Sequence, residues 1–442
     1  MIRHRASIVL FVLLCGVGSL NSILQVRGWS NELSLVDPYS EANVLREVRN
    51  FLEHGLTVHY GLGTVYYPGM YPTDGFAADP DVSLFGVSAE GVYTHYPPGP
   101  EYILYAATKL LGSEPVSRLR LVPVLLGLAA MVFFGLAVRR RFGAAIGWLV
   151  MTACMITPTV TDEFVSLHSQ GYAFALLLLE IGLAIGVNAW AAPFVLIGFL
   201  QGWLSFDYVF LVTLTPLAIE LVMPALLPEY QRRWKLTLRR VILAGGGFAI
   251  AHALHFMQIW AYWGSFAEAV RDLAGAAAHR AGAGMFHGPV DYLSQALSNL
   301  KLYYYGLHPF NPYLTLPASE NYLDWASFRF LGLSLGPWWL LVTVGLIAWE
   351  KLKPGPAAGS LRLNWHIVSL SGMVTTSLWF VVMVNHGGAH RHFLYRHLFL
   401  MFFVMVLFAA STARRLAVEA DIFARWFQRD EAAPMSGSKT PT

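Results

Sequence analysis

Ten apolar runs decide what this chain can become. They lie near residues 7–24, 119–138, 143–159, 170–188, 191–206, 207–226, 240–262, 329–349, 364–385 and 393–412. At about 20 residues each, they are long enough to cross a bilayer as helices. Backbone in hydrocarbon has to satisfy its own N–H and C=O groups, which an α-helix does within one segment. The expected fold class is therefore an all-α polytopic membrane protein with about ten transmembrane helices. Composition agrees: 56% of the 442 residues are hydrophobic, 13% are charged and mean hydropathy is +0.50. A soluble domain has no interior for that much apolar surface. The net charge of +3 is small and says nothing about nucleic acid; the apolar spans make the lipid bilayer the expected partner, and no nucleic acid is expected. Both cysteines, Cys15 and Cys154, sit inside apolar runs, so no disulfide framework is expected.

Residues 1–23 begin with Arg3 and Arg5 and continue as an apolar run. No small-x-small cleavage site follows, and Leu14 before Cys15 does not suit a lipoprotein signal. The segment reads as a retained first span. Basic residues favour the cytoplasmic side. With the N-terminus inside, ten crossings put Arg139-Arg140-Arg141, the short 187–191 turn, Arg232-Arg233-Trp234-Lys235 with Arg239-Arg240, Lys351-Leu352-Lys353 and Arg414-Arg415 inside as well. The long loops 25–118 and 263–328 then lie outside, with short outer turns near 160–169, 206–208 and 386–392. The expected organisation is a catalytic transmembrane module over 1–262, a second part over 263–412, and a cytoplasmic tail over 413–442. That tail has a possible amphipathic helix to Gln428 and an end, EAAPMSGSKTPT, that reads as disordered.

Two stretches of the first outer loop read as helices lying in the membrane plane. In Leu35–Gly55, Asp37 caps the start, Pro38 takes the first helical position, and Val44, Leu45, Val48, Phe51 and Leu52 recur at helical spacing, with Gly55 as the stop. The second is Pro98–Gly112, apolar but short. If it crossed, the arginines at 139–141 would fall outside. A further in-plane helix is possible over Asp291–Tyr305.

Polar groups suited to chemistry gather on the outer side. Asp37 and Glu41 are one turn apart, and are either a cap and a first-turn acid or surface carboxylates with one acting as general base. His95 and Tyr96 lead into the second in-plane helix through Pro97-Pro98. Thr161-Asp162-Glu163 lies in a short turn between spans, where an acidic pair is costly unless used or paired, and His168, Gln170 and Tyr172 follow. Asp207 is either a ligand-facing acid or part of a turn. Near the last span, Arg391, His392 and Arg396 suit a phosphate clamp, with His392 and Arg396 on one helix face. The histidines at 386, 390, 392 and 397 match no standard metal-ligand spacing. Aromatic residues of 263–328, including Tyr303-Tyr304-Tyr305 and Trp325, suit headgroup anchoring or stacking on sugar rings.

In order and spacing, residues 1–190 resemble the GT-C superfamily of integral-membrane glycosyltransferases, whose relatives include protein O-mannosyltransferases and the lipid A aminoarabinose transferase. The features that carry the resemblance are Asp37-Pro38-Tyr39-Ser40-Glu41 after a first span, His95-Tyr96-Pro97-Pro98-Gly99-Pro100-Glu101-Tyr102, Gly112 followed by Arg118-Leu119-Arg120, the turn Arg139-Arg140-Arg141-Phe142-Gly143, and an acid, Asp162 or Glu163, after the third span. Many relatives have adjacent Asp-Glu in the first motif; here Pro38 follows Asp37, leaving Glu41 as a rival base. The last part of the sequence reads as carrying no large soluble outer domain of the kind some relatives use for substrate choice, which leaves the acceptor open.

The resemblance implies inverting transfer of a sugar from a polyprenyl-phosphate-linked donor to a glycan, lipid or protein acceptor on the outer face of the cytoplasmic membrane. In that scheme Asp37 takes the acceptor proton and Arg391 and Arg396, with His392, hold the leaving phosphate. Asp162 or Glu163 orients the acceptor or binds a possible divalent cation, with His95, Tyr96, His168 and Asp207 lining the substrate site. Two alternatives are a transporter or flippase of lipid-linked sugars and a non-catalytic scaffold of envelope glycan assembly.

Overall fold

The computed structural model describes residues 8–18, 20, 38–64, 91–112, 116–155, 164–186, 190–305, 335–352, 356–385 and 394–419. For Pro38, Tyr39 and residues 302–305, 335–338, 356–359, 394–398, 402 and 414–419 it describes the backbone alone. The helices are α1 Ile8–Gly18, α2 Pro38–His54, α3 Gly99–Leu111, the short α4 Val116–Leu119, α5 Leu121–Phe142, α6 Ala144–Met155, α7 Ser169–Gly186, α8 Ala192–Leu204, α9 Val209–Leu226 and α10 Trp234–Trp263. They continue with α11 Phe266–Ala281, α12 Pro289–Tyr305, α13 Leu335–Leu352, α14 Pro356–Val382 and α15 Leu394–Glu419. Strands β1 Gly63–Thr64 and β2 Val92–Tyr93 pair antiparallel, with Gly63 opposite Tyr93.

Among the described residues, five helical stretches are long and apolar enough to cross a membrane: Val116–Phe142, Ser169–Gly186, Phe206–Leu226, Trp234–Trp263 and Ser360–Val382. Shorter apolar helices are Ile8–Gly18, Ala144–Met155, Ala192–Leu204 and Phe399–Ala413. Every apolar run read from the sequence coincides with a helix. Their outward faces carry Leu125, Ile242, Ile250, Val344 and Leu370 in the open, as a lipid-facing surface would.

The core joins the two halves of the chain. Phe134 of α5 meets Phe403 of α15 edge to face at 4.7 Å, and Phe174 of α7 meets Phe399 at 5.1 Å. Close helix contact without a water-driven hydrophobic effect relies on small residues at the crossing. The α8–α10 pair follows this rule: a Cβ on Gly198 would run into the carbonyl of Ala244, and one on Gly247 into that of Val195.

The bundle has two chemically distinct ends. At one end Arg139 lies over Phe11 at 5.2 Å and Arg141 over Tyr230 at 5.2 Å. There Glu220 also accepts from the Tyr230 hydroxyl at 2.6 Å, from the Thr237 hydroxyl at 3.1 Å and from the backbone N–H of Arg233. The other end carries α2, α3, the β1–β2 pair, α11 and α12. Along α5, Leu121 and Arg139 are separated by about 27 Å at 1.5 Å per residue.

The apolar face of α2 is turned into the protein. Val44 and Val48 are buried with Leu104 and Ala107 of α3, Leu119 and Leu167. Helix α12 lies where an in-plane helix was expected and is tied to the end of α14: the Tyr292 hydroxyl donates to the Val381 carbonyl at 2.6 Å, and Asn299 to that of Val384 at 2.9 Å. Helix α11, within the loop 263–328, was not anticipated. The expected tail helix is continuous with α15 as far as Glu419, and residues 420–442 lie outside the described residues.

Candidate functional site

Beyond α6, the chain returns to the loop-bearing end at Phe164–Tyr172, and this segment ties the outer elements together. Glu41, in the first turn of α2, is fully buried. Its two carboxylate oxygens accept from Nη1 and Nη2 of Arg120 at 3.0 and 3.1 Å, and one also accepts from the backbone N–H of Leu167 at 3.0 Å. Arg120, at the head of α5, donates in addition to the Val165 carbonyl at 2.6 Å. A two-pronged guanidinium–carboxylate pair of this kind fixes orientation as well as distance. It sets the start of α2 against the heads of α5 and α7.

Gln170, in the first turn of α7, donates to Asp207 Oδ2 at 2.8 Å. Asp207 is fully buried in the turn between α8 and α9, where the Ser205 hydroxyl both donates to Oδ2 and accepts from the Asp207 backbone N–H, each at 3.2 Å. The Tyr96 hydroxyl reaches the same oxygen at 3.5 Å, the long limit of a hydrogen bond. Tyr96 stacks on Phe206 at 4.5 Å and on Tyr93 at 5.9 Å, and Phe206 meets Trp379 of α14 at 5.6 Å. Arg280, in the last turn of α11, lies over the rings of Phe206 at 4.1 Å and Tyr96 at 5.3 Å. Burial raises the Tyr96 phenol well above its ordinary value, and the Asp207 carboxylate adds to this against the opposing pull of Arg280. The phenol therefore stays protonated and serves as a donor toward Asp207.

A second buried pair lies beside this network. Glu47 of α2 and Glu101 of α3 are both buried. Burial pushes Glu101 up to about 8; burial and then the neighbouring Glu101 push Glu47 well above the usual carboxylate range. Two carboxyls so placed cannot both ionise near neutral pH. The first outer loop is also fastened to α10. His255 Nε2 and the Thr94 carbonyl are 2.9 Å apart, and Gln258 donates to the Tyr102 hydroxyl at 3.0 Å.

Of the residues expected at the site, Glu41, His95, Tyr96, His168 and Asp207 are described, and all lie at this end. Tyr96 and Asp207 meet directly. His95 is buried beside Tyr93, with ring centroids 5.9 Å apart. His168 Nε2 lies 3.3 Å from the Ser169 hydroxyl, between Leu167, which binds Glu41, and Gln170, which binds Asp207. Glu41, the rival base, is committed to Arg120 and Leu167. Asp37, Asp162, Glu163, Arg391 and His392 lie outside the described residues, and of Arg396 only the backbone is described. Glu41 and Asp207 lie at the end opposite Arg139 and Arg141. Sequence reasoning missed Arg280 and the Glu47–Glu101 pair. Among the described residues no cluster of three or more potential metal ligands occurs.

No family model matches this chain, and no curated protein matches it. Two solved structures are similar to it over nearly its whole length. One is the apo oligosaccharyltransferase of Archaeoglobus fulgidus, at 14% identity and a TM-score of 0.43 over 95% of this chain and 52% of that one. The other is apo ArnT of Cupriavidus metallidurans, at 13% identity and a TM-score of 0.34 over 96% of this chain and 80% of that one. The chain spans about half the length of the archaeal enzyme it matches.

Proposed function

We propose that this protein is an inverting glycosyltransferase that moves a sugar from a polyprenyl-phosphate-linked donor to an acceptor hydroxyl on the outer face of the cytoplasmic membrane. The observation that carries the reading is the network through 164–170. Glu41, Arg120, Gln170, Asp207 and Tyr96 are drawn from separate outer elements into one buried polar assembly, at the end opposite the arginine-rich turns. By the positive-inside rule that arginine-rich end is cytoplasmic, so the assembly faces outward.

Asp37, which immediately precedes α2, acts as the general base and takes the proton of the acceptor hydroxyl. The acceptor oxygen attacks the anomeric carbon from the face opposite the phosphate. The bond from that carbon to the phosphate oxygen breaks, and the lipid phosphate leaves with the electron pair. Arg391, His392 and Arg396 stabilise its charge. Asp162 and Glu163, oxygen donors suited to a hard divalent cation, orient the acceptor or hold such an ion. Glu41 positions the start of α2 through Arg120 and leaves the base role to Asp37. His95, Tyr96, His168 and Asp207 line the substrate side. The acceptor is a glycan, lipid or protein of the cell envelope.

The test is Asp37→Asn in reconstituted protein. Loss of sugar transfer with normal insertion and monodispersity supports the scheme; normal turnover removes Asp37 from it. Transport of lipid-linked sugars is the second reading, favoured by Glu180. This carboxyl is fully buried within α7, with neither oxygen hydrogen-bonded among the described residues. Ionisable groups inside a span often mark a transport path. Accumulation of intact donor across vesicles without bond cleavage would establish it.

A further inference from the structure

Helix α10, Trp234–Trp263, is the least buried of the five spanning stretches. Its outward face is a continuous exposed stripe through Lys235, Leu238, Arg239, Ile242, Gly246 and Ile250. Trp234 stands in the open at one end of the helix, and Trp260 and Trp263 at the other. From Trp234 to Trp260 is about 39 Å at 1.5 Å per residue, close to the thickness of a bilayer with its headgroups, about 40–45 Å. Indole rings favour the headgroup level, so Trp234 marks that level at the arginine-rich end.

Arg232, Lys235 and Arg239 are exposed at this level, with the Arg232 guanidinium over the Trp234 ring at 5.4 Å. Lys235 and Arg239 are one turn apart on one helix face. Among the described residues neither is ion-paired. Glu220, the buried acid beside them, is taken up by the hydroxyls of Tyr230 and Thr237 and the backbone N–H of Arg233. Glu229, in the turn before α10, is a single charge against three. Toward the bilayer centre the stripe becomes apolar. Leu238, Ile242 and Ile250 are each more than half exposed, and a Cβ added to Gly246 between the isoleucines would meet nothing within 4 Å. That leaves a shallow apolar channel headed by two cations, a shape that fits a phosphate ester carrying an acyl chain. A zwitterionic headgroup brings an ammonium that Lys235 and Arg239 repel; an anionic headgroup does not.

We propose that the start of α10 is a binding site for an anionic phospholipid of the cytoplasmic leaflet. The lipid phosphate sits between Lys235 and Arg239, Trp234 packs where headgroup meets chain, and one acyl chain lies along Leu238, Ile242 and Gly246. The site is at the opposite end of the bundle from the buried polar assembly and does not depend on the glycosyltransferase reading. Each basic residue near an anionic headgroup is worth about fivefold in affinity, so the pair should give about 30-fold, which is about 2 kcal/mol at 1.36 kcal/mol per decade.

The experiment is fluorescence quenching of the full-length protein in phosphatidylcholine vesicles that contain either phosphatidylglycerol or phosphatidylcholine brominated in its acyl chains. Bromine quenches the indoles it touches, and each variant is measured with and without Trp234→Phe to isolate the signal of Trp234. In the wild type, phosphatidylglycerol should bind beside Trp234 about 30-fold more tightly than phosphatidylcholine. Lys235→Gln and Arg239→Gln should each lower that preference to about fivefold, and the double variant should abolish it. Lys301→Gln, an exposed cation on α12, should leave it unchanged. The assignment is overturned by a wild-type preference below about threefold, by a double variant that keeps the preference, or by Lys301→Gln lowering it equally, which marks an effect of net charge. Excess inorganic phosphate should not relieve the quenching; relief marks a site for free anions and overturns the lipid. If the double variant is not monodisperse, the two single variants decide.

Discussion

Replacing Arg120 with Met leaves the carboxylate of Glu41 buried and short of both guanidinium bonds, at 3.0 and 3.1 Å in the wild type. Among the described residues, the Leu167 N–H still donates to it. Breaking a buried pair from one side costs about 3–5 kcal/mol, because the charge left behind has no counter-ion. The cost falls on the docking of α2, since the pair joins α2 to the heads of α5 and α7. In hydrogen exchange, α2 amides would open about 150- to 5,000-fold more readily, at 1.36 kcal/mol per decade. Glu41→Gln should do likewise from the other side. The double variant Glu41→Gln/Arg120→Met should recover much of the loss, because no unpaired charge remains. The readout is peptide-level exchange over 38–54 in detergent, with α9 as internal reference. Single variants that accelerate α2 exchange less than threefold, or a double variant equal to the sum of the singles, would refute the latch.

Other expectations follow from the same geometry. Glu101 and Glu47 hold their proton in the folded state above the pH where the unfolded chain releases it, so the folded state binds the extra proton. Stability should therefore fall as pH rises from about 4.5 toward about 8, and Glu101→Gln should flatten that slope in thermal melts. A slope of opposite sign rules out the shared proton. Asp207→Asn removes the charge that anchors Tyr96 and should lower transfer by about 10- to 150-fold, as expected for one charged hydrogen bond of about 1.5–3 kcal/mol, with assembly intact. Wild-type rates would make Asp207 a turn residue only. Gly198→Val drives a side chain into the Ala244 carbonyl at the α8–α10 crossing and should abolish monodisperse protein on size exclusion.

The span pattern was legible because burial in lipid and in the core both select apolar runs, and both end at polar turns. Boundaries were less so. Helix α10 begins at Trp234, six residues before its apolar run, since Arg240 is accommodated inside the helix by the Ala184 carbonyl at 3.3 Å and the Phe194 ring at 5.1 Å. The apolar face of α2 was legible; its burial against α3 was not, because one amphipathic face serves lipid and protein equally. Helix α11 is rich in alanine, which hid it among the loop residues, although Ser265 three residues before Glu268 is a capping signal and the Ser265 hydroxyl does accept from the Glu268 N–H at 3.4 Å. Asp207 was ambiguous between turn and ligand, and it is in the turn while also receiving Gln170. The environment of Arg280 could not be read, since its platform comes from residues 74 and 184 positions earlier in the chain.

The central claim is bond cleavage at the donor on the outer side. Its most direct test is reconstitution of the protein in vesicles with polyprenyl-phosphate sugars and candidate acceptors, followed by separation of the lipids. The account predicts release of polyprenyl monophosphate in step with appearance of an inverted glycosidic bond on the acceptor, and loss of both in Asp37→Asn. Intact donor moving between leaflets, with no free lipid phosphate, would contradict it.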